Sequence, residues 1–286
     1  MKKKIVCMLL ALMLAVTAMP VALADGEWKV TLGANLSESQ REQVLKMLGV
    51  SADEVQLFTV TIDEEKALLG DLVPADKIGS RSLSCASVRP LAEGDGIQVT
   101  TQNINWVSES MYASALATAG LKDAEIKVAC PVKVSGTAAL AGIFKAYEAT
   151  SGELSETAKE VAAEELVTTG ELGDIIGQDQ AARLIAMVKQ KILELGYNKA
   201  ENVRPVVIEI AKELNITLTD EQIDTITNLI VTIVNMDIDP AALAGQVQKI
   251  NDSLKDLAET SQKALSFVES IRDFFNNLVE WFASIF

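Results

Sequence analysis

Three groups of residues in this sequence have types and spacing suited to chemistry. The first is Ser135-Gly136-Thr137, which follows a β-branched stretch, Glu125 to Val134, and precedes an Ala-rich one. Where a strand runs into a helix, backbone N–H groups point out of the turn and can hold a carboxylate or a phosphate. An ordinary helix N-cap reads the same way and is the simpler account. The second group, Asn103, Asn105 and Trp106, ends the preceding strand. Polar residues at the carboxyl ends of neighbouring strands share a crevice in open α/β sheets. The alternative is local backbone bonding for Asn103 and a core position for Trp106. The candidate ligand-binding set is therefore Asn103, Trp106, Ser135, Gly136 and Thr137. The third group is Cys85 and Cys130. They alternate with Leu83 and with Ile126 and Val128, so both are expected to face a core. In an oxidising compartment such a pair reads as one disulfide. It would stabilise the fold by about 4 kcal/mol in the chain-entropy account. Two buried free thiols are the alternative.

Much chemistry is excluded. The chain has no histidine, which removes Ser-His-Asp and Cys-His nucleophiles and every His-ligated metal site. No Walker A, G-x-S-x-G, S-x-x-K or G-x-G-x-x-G motif is present. Asn235-x-Asp237-x-Asp239 imitates an EF-hand start, but Pro240 stands at the turn glycine and Gln246 at the final Glu. No metal and no cofactor is expected. Carboxylates are abundant, with Glu125, Glu148, Glu165 and Glu171 in or near the patterned block. Their spacing alone brings no acid–base pair together.

The elements that must position these residues follow from periodicity. Strands are expected at 28–34, 55–62, 81–89, 97–104 and 125–134. Helices are expected from Ser37 to Gly49, from Asp63 to Leu69, from Ser108 to Gly120 and from Ser135 to Thr150. Glu93-Gly94-Asp95-Gly96 reads as the turn of a hairpin between the third and fourth strands. The fourth strand, its helix and the fifth strand form a crossover unit. After Ser151-Gly152 the pattern is helical, at 155–169, 179–195, 199–214, 219–235 and 240–284, with one ambiguous run from Ile226 to Val234. The expected fold class is α+β: residues 25–152 an α/β domain with a βαβ-type crossover, and 153–286 a helical bundle.

The termini bear on location. Lys2, Lys3 and Lys4, an apolar run from Ile5 to Val16 and Ala22-Leu23-Ala24 form a signal peptide over residues 1–24. Its apolar core is shorter than the about 20 residues of a spanning helix. Cleavage removes three lysines and no acid, so the formal charge falls from −15 to −18. Such a charge argues against nucleic acid as a partner. At the other end Phe267, Ile271, Phe274, Phe275, Leu278, Trp281, Phe282, Ile285 and Phe286 share one helical face. That stripe closes the bundle or contacts an envelope protein or a second copy. Membrane docking ranks behind these, because Glu269, Asp273 and Glu280 against Arg272 leave the segment acidic.

The chain also resembles the YpuA-like family of secreted Gram-positive proteins, from about Val30 to about Glu171. The resemblance rests on Val30-Thr-Leu-Gly-Ala-Asn-Leu, Lys77-Ile-Gly-Ser, Asn103-Ile-Asn-Trp-Val and Met111-Tyr-Ala-Ser-Ala-Leu-Ala-Thr-Ala-Gly. It continues through Val134-Ser-Gly-Thr-Ala-Ala-Leu-Ala-Gly-Ile-Phe-Lys-Ala-Tyr-Glu and Glu165-Leu-Val-Thr-Thr-Gly-Glu-Leu. Asn35 stands where that pattern would place Asp. The resemblance implies an exported, cell-envelope setting and transfers no catalytic residue. The expected function is a secreted, non-enzymatic binding or scaffolding module. The alternative is an Asp/Glu-dependent hydrolase acting on a wall polymer.

Overall fold

The computed structural model describes residues 27–70, 72–73 and 78–256. The expected signal peptide and the aromatic stripe at 267–286 lie outside the described residues.

The first half is a five-stranded mixed sheet with helices. In chain order it runs β1 (Lys29–Gly33), α1 (Glu38–Leu48), β2 (Gln56–Val60), α2 (Ile62–Leu69), β3 (Cys85–Pro90), β4 (Ile97–Ile104), α3 (Glu109–Thr118), β5 (Ala124–Val134) and α4 (Ala139–Ser151). Helices α5 (Glu156–Ile176), α6 (Gln178–Leu195), α7 (Ala200–Glu213) and α8 (Asp220–Val234) follow. A further helix, α9, occupies 240–256. The class is α+β, and the ambiguous run from Ile226 to Val234 is helix.

The sheet order is β2-β1-β3-β5-β4. Both β1–β2 and β4–β5 are parallel neighbours, so the expected crossover through α3 is present and α1 makes a second one. The expected β3–β4 hairpin is not. Strand β5 pairs antiparallel with β3 and lies between β3 and β4. The Gly94–Gly96 turn matches a hairpin locally, but β5 completes a ladder with each of β3 and β4 and lies between them.

Several helix starts follow local chemistry. Ser37 and Ser108 cap α1 and α3, each with its side chain accepting from the third helical N–H. Helix α2 is capped by Thr61 rather than Asp63, because Thr61 and Glu64 make a reciprocal capping box. Ser135 does not cap α4. That helix begins at Ala139, behind a tight turn in which Ala139 N donates to Gly136 O at 3.0 Å.

The core is layered. Helix α1 packs on one sheet face through Val44 and Leu48, against Val30, Leu32, Cys85 and Ala129. On the other face α3 and α4 meet Ala86, Val88, Ile126 and Val128. Helix α5 lies beyond them, its Ala162, Ala163 and Leu166 in the same cluster. A second cluster joins α6 to α9 and takes in Ala113 and Ala117 of α3. Helix α3 is therefore buried on every side from Met111 to Thr118, which explains its run of small residues.

Candidate functional site

Gly33 ends β1 where the chain segment 82–83 crosses it. A Cβ at Gly33 would lie 2.5 Å from Ser82 O, so only glycine admits the crossing. Asn35 then pins the crossing segment. Its N–H donates to Ser82 O at 3.0 Å, its Oδ1 accepts from Ser82 N at 2.9 Å, and its carbonyl accepts from Arg81 Nη2 at 3.0 Å. An Asp there would accept from Ser82 N equally well.

This scaffold shapes a cleft of about 340 Å³ bounded by Ser80, Arg81, Ser84, Ser135 and Ala138. Its floor includes Leu83 and Val134. Among the described residues the lining holds one cation and three hydroxyls and no carboxylate, in a chain with 40 acids. That set is suited to holding a small anion.

Of the five predicted ligand residues, Ser135 alone lines this cleft. Its Oγ lies 3.3 Å from Thr137 Oγ1, yet Thr137 is fully buried. Gly136, at φ 99°, faces inward, and a Cβ there would lie 2.5 Å from Ile104 Cγ2. The Tyr112 hydroxyl donates to Gly136 O at 2.5 Å, and burial drives its pKa upward. Asn103, at φ 62°, sits at a register shift in β4 and donates from Nδ2 to Cys130 O at 2.8 Å. Trp106 packs its ring against Gly170 of α5, and its Nε1 donates to Asp174 Oδ1 at 2.8 Å. Trp106 also borders a separate opening with Ser108, Gln178 and Asp179. The strand ends do adjoin, with Asn105 N donating to Val134 O and Val107 N to Ser135 O, both at 3.0 Å. Their side chains diverge.

The expected Cys85–Cys130 bond is not formed. Both are buried free thiols, 3.5 Å and 3.4 Å from the same acceptor, Leu83 O. The ladder sets Cys85 opposite Ala129, so Cys130 is one residue out of step, and neighbours on a strand point to opposite faces. Burial pushes the Cys85 thiol up to about 12 and raises that of Cys130.

Two buried acids were not singled out by their surroundings in the sequence. Glu65 of α2 is fully buried, and its Oε2 has no partner. Ser82 Oγ lies 2.8 Å from Val60 O and also against Glu65 Oε1. One hydroxyl proton cannot serve both acceptors, so a neutral Glu65 supplies the second. Burial, opposed by the Ser82 hydrogen bond and aided by nearby Glu64, lifts its pKa to about 7.

Glu165 of α5 has the opposite arrangement. Its Oε1 accepts from Ser114 Oγ at 2.5 Å and Lys189 Nζ at 2.8 Å, and its Oε2 accepts from Thr118 Oγ1 at 2.5 Å. Lys189 also donates to Ser114 O at 3.0 Å and Thr118 Oγ1 at 2.9 Å. Three ammonium protons meet three acceptors. Burial lowers the Lys189 pKa and the Glu165 charge opposes that. The other acids near the block do not converge on it. Glu125 pairs with Arg89 at 2.6 Å and Glu148 with Lys159 at 3.0 Å, while Glu171 borders a cleft between α5 and α8. No group of three or more His, Cys, Asp or Glu among the described residues is placed to hold a metal ion.

A family model described as a protein of unknown function, DUF1002, matches residues 32–250. The chain belongs to this family. It is 42% identical over 292 residues to the uncharacterized protein YpuA of Bacillus subtilis (strain 168), with 100% of both chains covered. No solved structure matches it. The DUF1002 match runs beyond Glu171 and through most of the helical part, further than the resemblance in the sequence reached. The segments that carried the resemblance meet as joints of this DUF1002 fold: Trp106 on Gly170, Tyr112 on Gly136, Thr31 beside Gly142, and Ser114 on Glu165.

Proposed function

We propose that this DUF1002 protein is an exported, non-enzymatic binding module of the cell envelope, and that it holds a small anion beside Arg81. The reading is carried by the Arg81 cleft, which gathers one guanidinium and the hydroxyls of Ser80, Ser84 and Ser135 in a chain otherwise rich in acids. Guanidinium forks match carboxylates and phosphates, and hydroxyls complete the donor set. Export is supported by Lys2–Lys4, the apolar run behind them and Ala22-Leu23-Ala24. The scaffolding side of the reading assigns self-association or an envelope partner to the stripe from Phe267 to Phe286.

Calorimetric titration of the mature chain with inorganic phosphate and with acetate tests the cleft. Saturable binding is expected, weakened about tenfold or more by Arg81→Ala. Ser84→Ala combined with Ser135→Ala should weaken it while leaving the Arg81–Asn35 contact in place. Absence of saturable binding, or binding indifferent to both variants, rejects the reading.

A further inference from the structure

The sheet has two edges, and they are finished differently. At β2 the outer carbonyl of Thr59 accepts from Lys145 Nζ at 2.7 Å. At β4, Gly96 O accepts from Ala124 N of β5 at 3.1 Å. Backbone groups alternate along a strand, so those of residues 98, 100 and 102 also face β5, and those of Ile97, Val99 and Thr101 face away. Thr101 confirms the phase, because its N–H donates to Glu109 Oε1 at 2.8 Å rather than to a strand. Ile97 and Val99, whose peptide groups face outward, line a groove of about 390 Å³ between β4, α3 and α9. Ala113, Ile250 and Leu254 give it apolar walls. Asp95 lies at one end of this stretch of edge and Glu109 at the other. Lys249, the cation in the lining, is engaged by Gly94 O at 2.6 Å and Asp123 at 3.6 Å.

We propose that this groove receives an extended basic peptide from another protein, which adds as a strand to the outer edge of β4. Its main chain would pair with Ile97 and Val99, apolar side chains would enter toward Ala113 and Leu254, and basic side chains would meet Asp95 and Glu109. Strand addition draws affinity from main-chain hydrogen bonds and specificity from alternate side chains. The acids at both ends select a cationic occupant over an acidic one. The site is separate from the Arg81 cleft and stands or falls without it.

The probe is the synthetic peptide Lys-Val-Thr-Ile-Thr-Val-Lys, with two controls: one carrying proline at its centre and one carrying Glu for both Lys. Amide hydrogen exchange of the mature chain is followed with and without peptide. The expected result is slowed exchange at Ile97 and Val99, lost with either control. Ser253→Trp, at an exposed position on the groove wall, should weaken binding about tenfold or more. Equal binding of the proline control, no change at Ile97 and Val99, or indifference to Ser253→Trp would overturn the proposal. Protection of those amides in the peptide-free chain would also overturn it. If independent of concentration it assigns the groove to the chain's own residues 257–286, and if rising with concentration to a second copy.

Discussion

Glu65 makes stability depend on pH in a direction opposite to most carboxylates. Its folded pKa of about 7 lies above the ordinary 4.5. Between those values the folded chain holds a proton that the unfolded chain releases. The contribution is therefore full below about pH 4.5 and is lost as pH rises through about 7. Urea midpoints at pH 5, 6, 7 and 8 should fall across this window, and Glu65→Gln should flatten that part of the profile. A profile unchanged by Glu65→Gln would remove Glu65 as its source. Glu165 and Lys189 are each buried with the other as partner. Glu165→Ala or Lys189→Met alone strands a charge and should cost about 3–5 kcal/mol. Glu165→Leu with Lys189→Met should cost less than the worse single change, measured by denaturant unfolding. Glu65 was not named from the sequence, and Glu165 was one of four acids near the patterned block with nothing to set it apart. Exposed and buried glutamates read alike there, and Glu165 became special only when Ser114, Thr118 and Lys189 were folded against it. The sequence placed Ser135 in a strand-to-helix turn, and there it lines the Arg81 cleft without capping the helix. The burial of Thr137, two residues on, was not legible, because it depends on packing across the layers.

Glycine has different meanings at the level of elements. Gly170 and Gly173 read as a break ending a helix near residue 169, yet α5 runs on to Ile176. Gly170 is there for Trp106, whose ring occupies the space a Cβ would need. Gly170→Ala has the better helix propensity and should still destabilise by about 1–3 kcal/mol through overpacking. Trp106→Phe in the same chain should recover part of that loss in a thermal melt. If Gly170→Ala stabilises, the Trp106 contact is not what holds the position. The strands were legible from alternation, and the crossover from the order of elements. The pairing of β3 was not, because β4 and β5 offer similar β-branched ladders and only the whole sheet decides which lies between. Helix α3 was legible as a helix from Ser108 to Gly120. Its burial on every side appears only once α5 and α6 cover it.

At the scale of the molecule, apolar clusters run across residue 152 without a gap, through α3 to α5 and α6. Calorimetry of the mature chain should give one cooperative transition, with equal calorimetric and van't Hoff enthalpies. Among the described residues no helix is long and apolar enough to cross a membrane. A chain exported as proposed should begin at Asp25 on N-terminal sequencing, and recovery of material starting at Met1 would reject cleavage. The acidic composition was legible from the start and bears on partners rather than on fold. The buried ion pair bears on the order of events during synthesis. Ser114 and Thr118 meet Glu165 and Lys189, 51 and 71 residues later in the chain. A nascent head ending near residue 152 would thus present two hydroxyls and an uncovered face of α3, with no acid or ammonium yet available to complete them. The polar contacts of α3 are complete only once the chain has emerged to Lys189. In a chain exported as proposed, that delay would leave it threadable during its passage across a membrane, with closure coming on the far side.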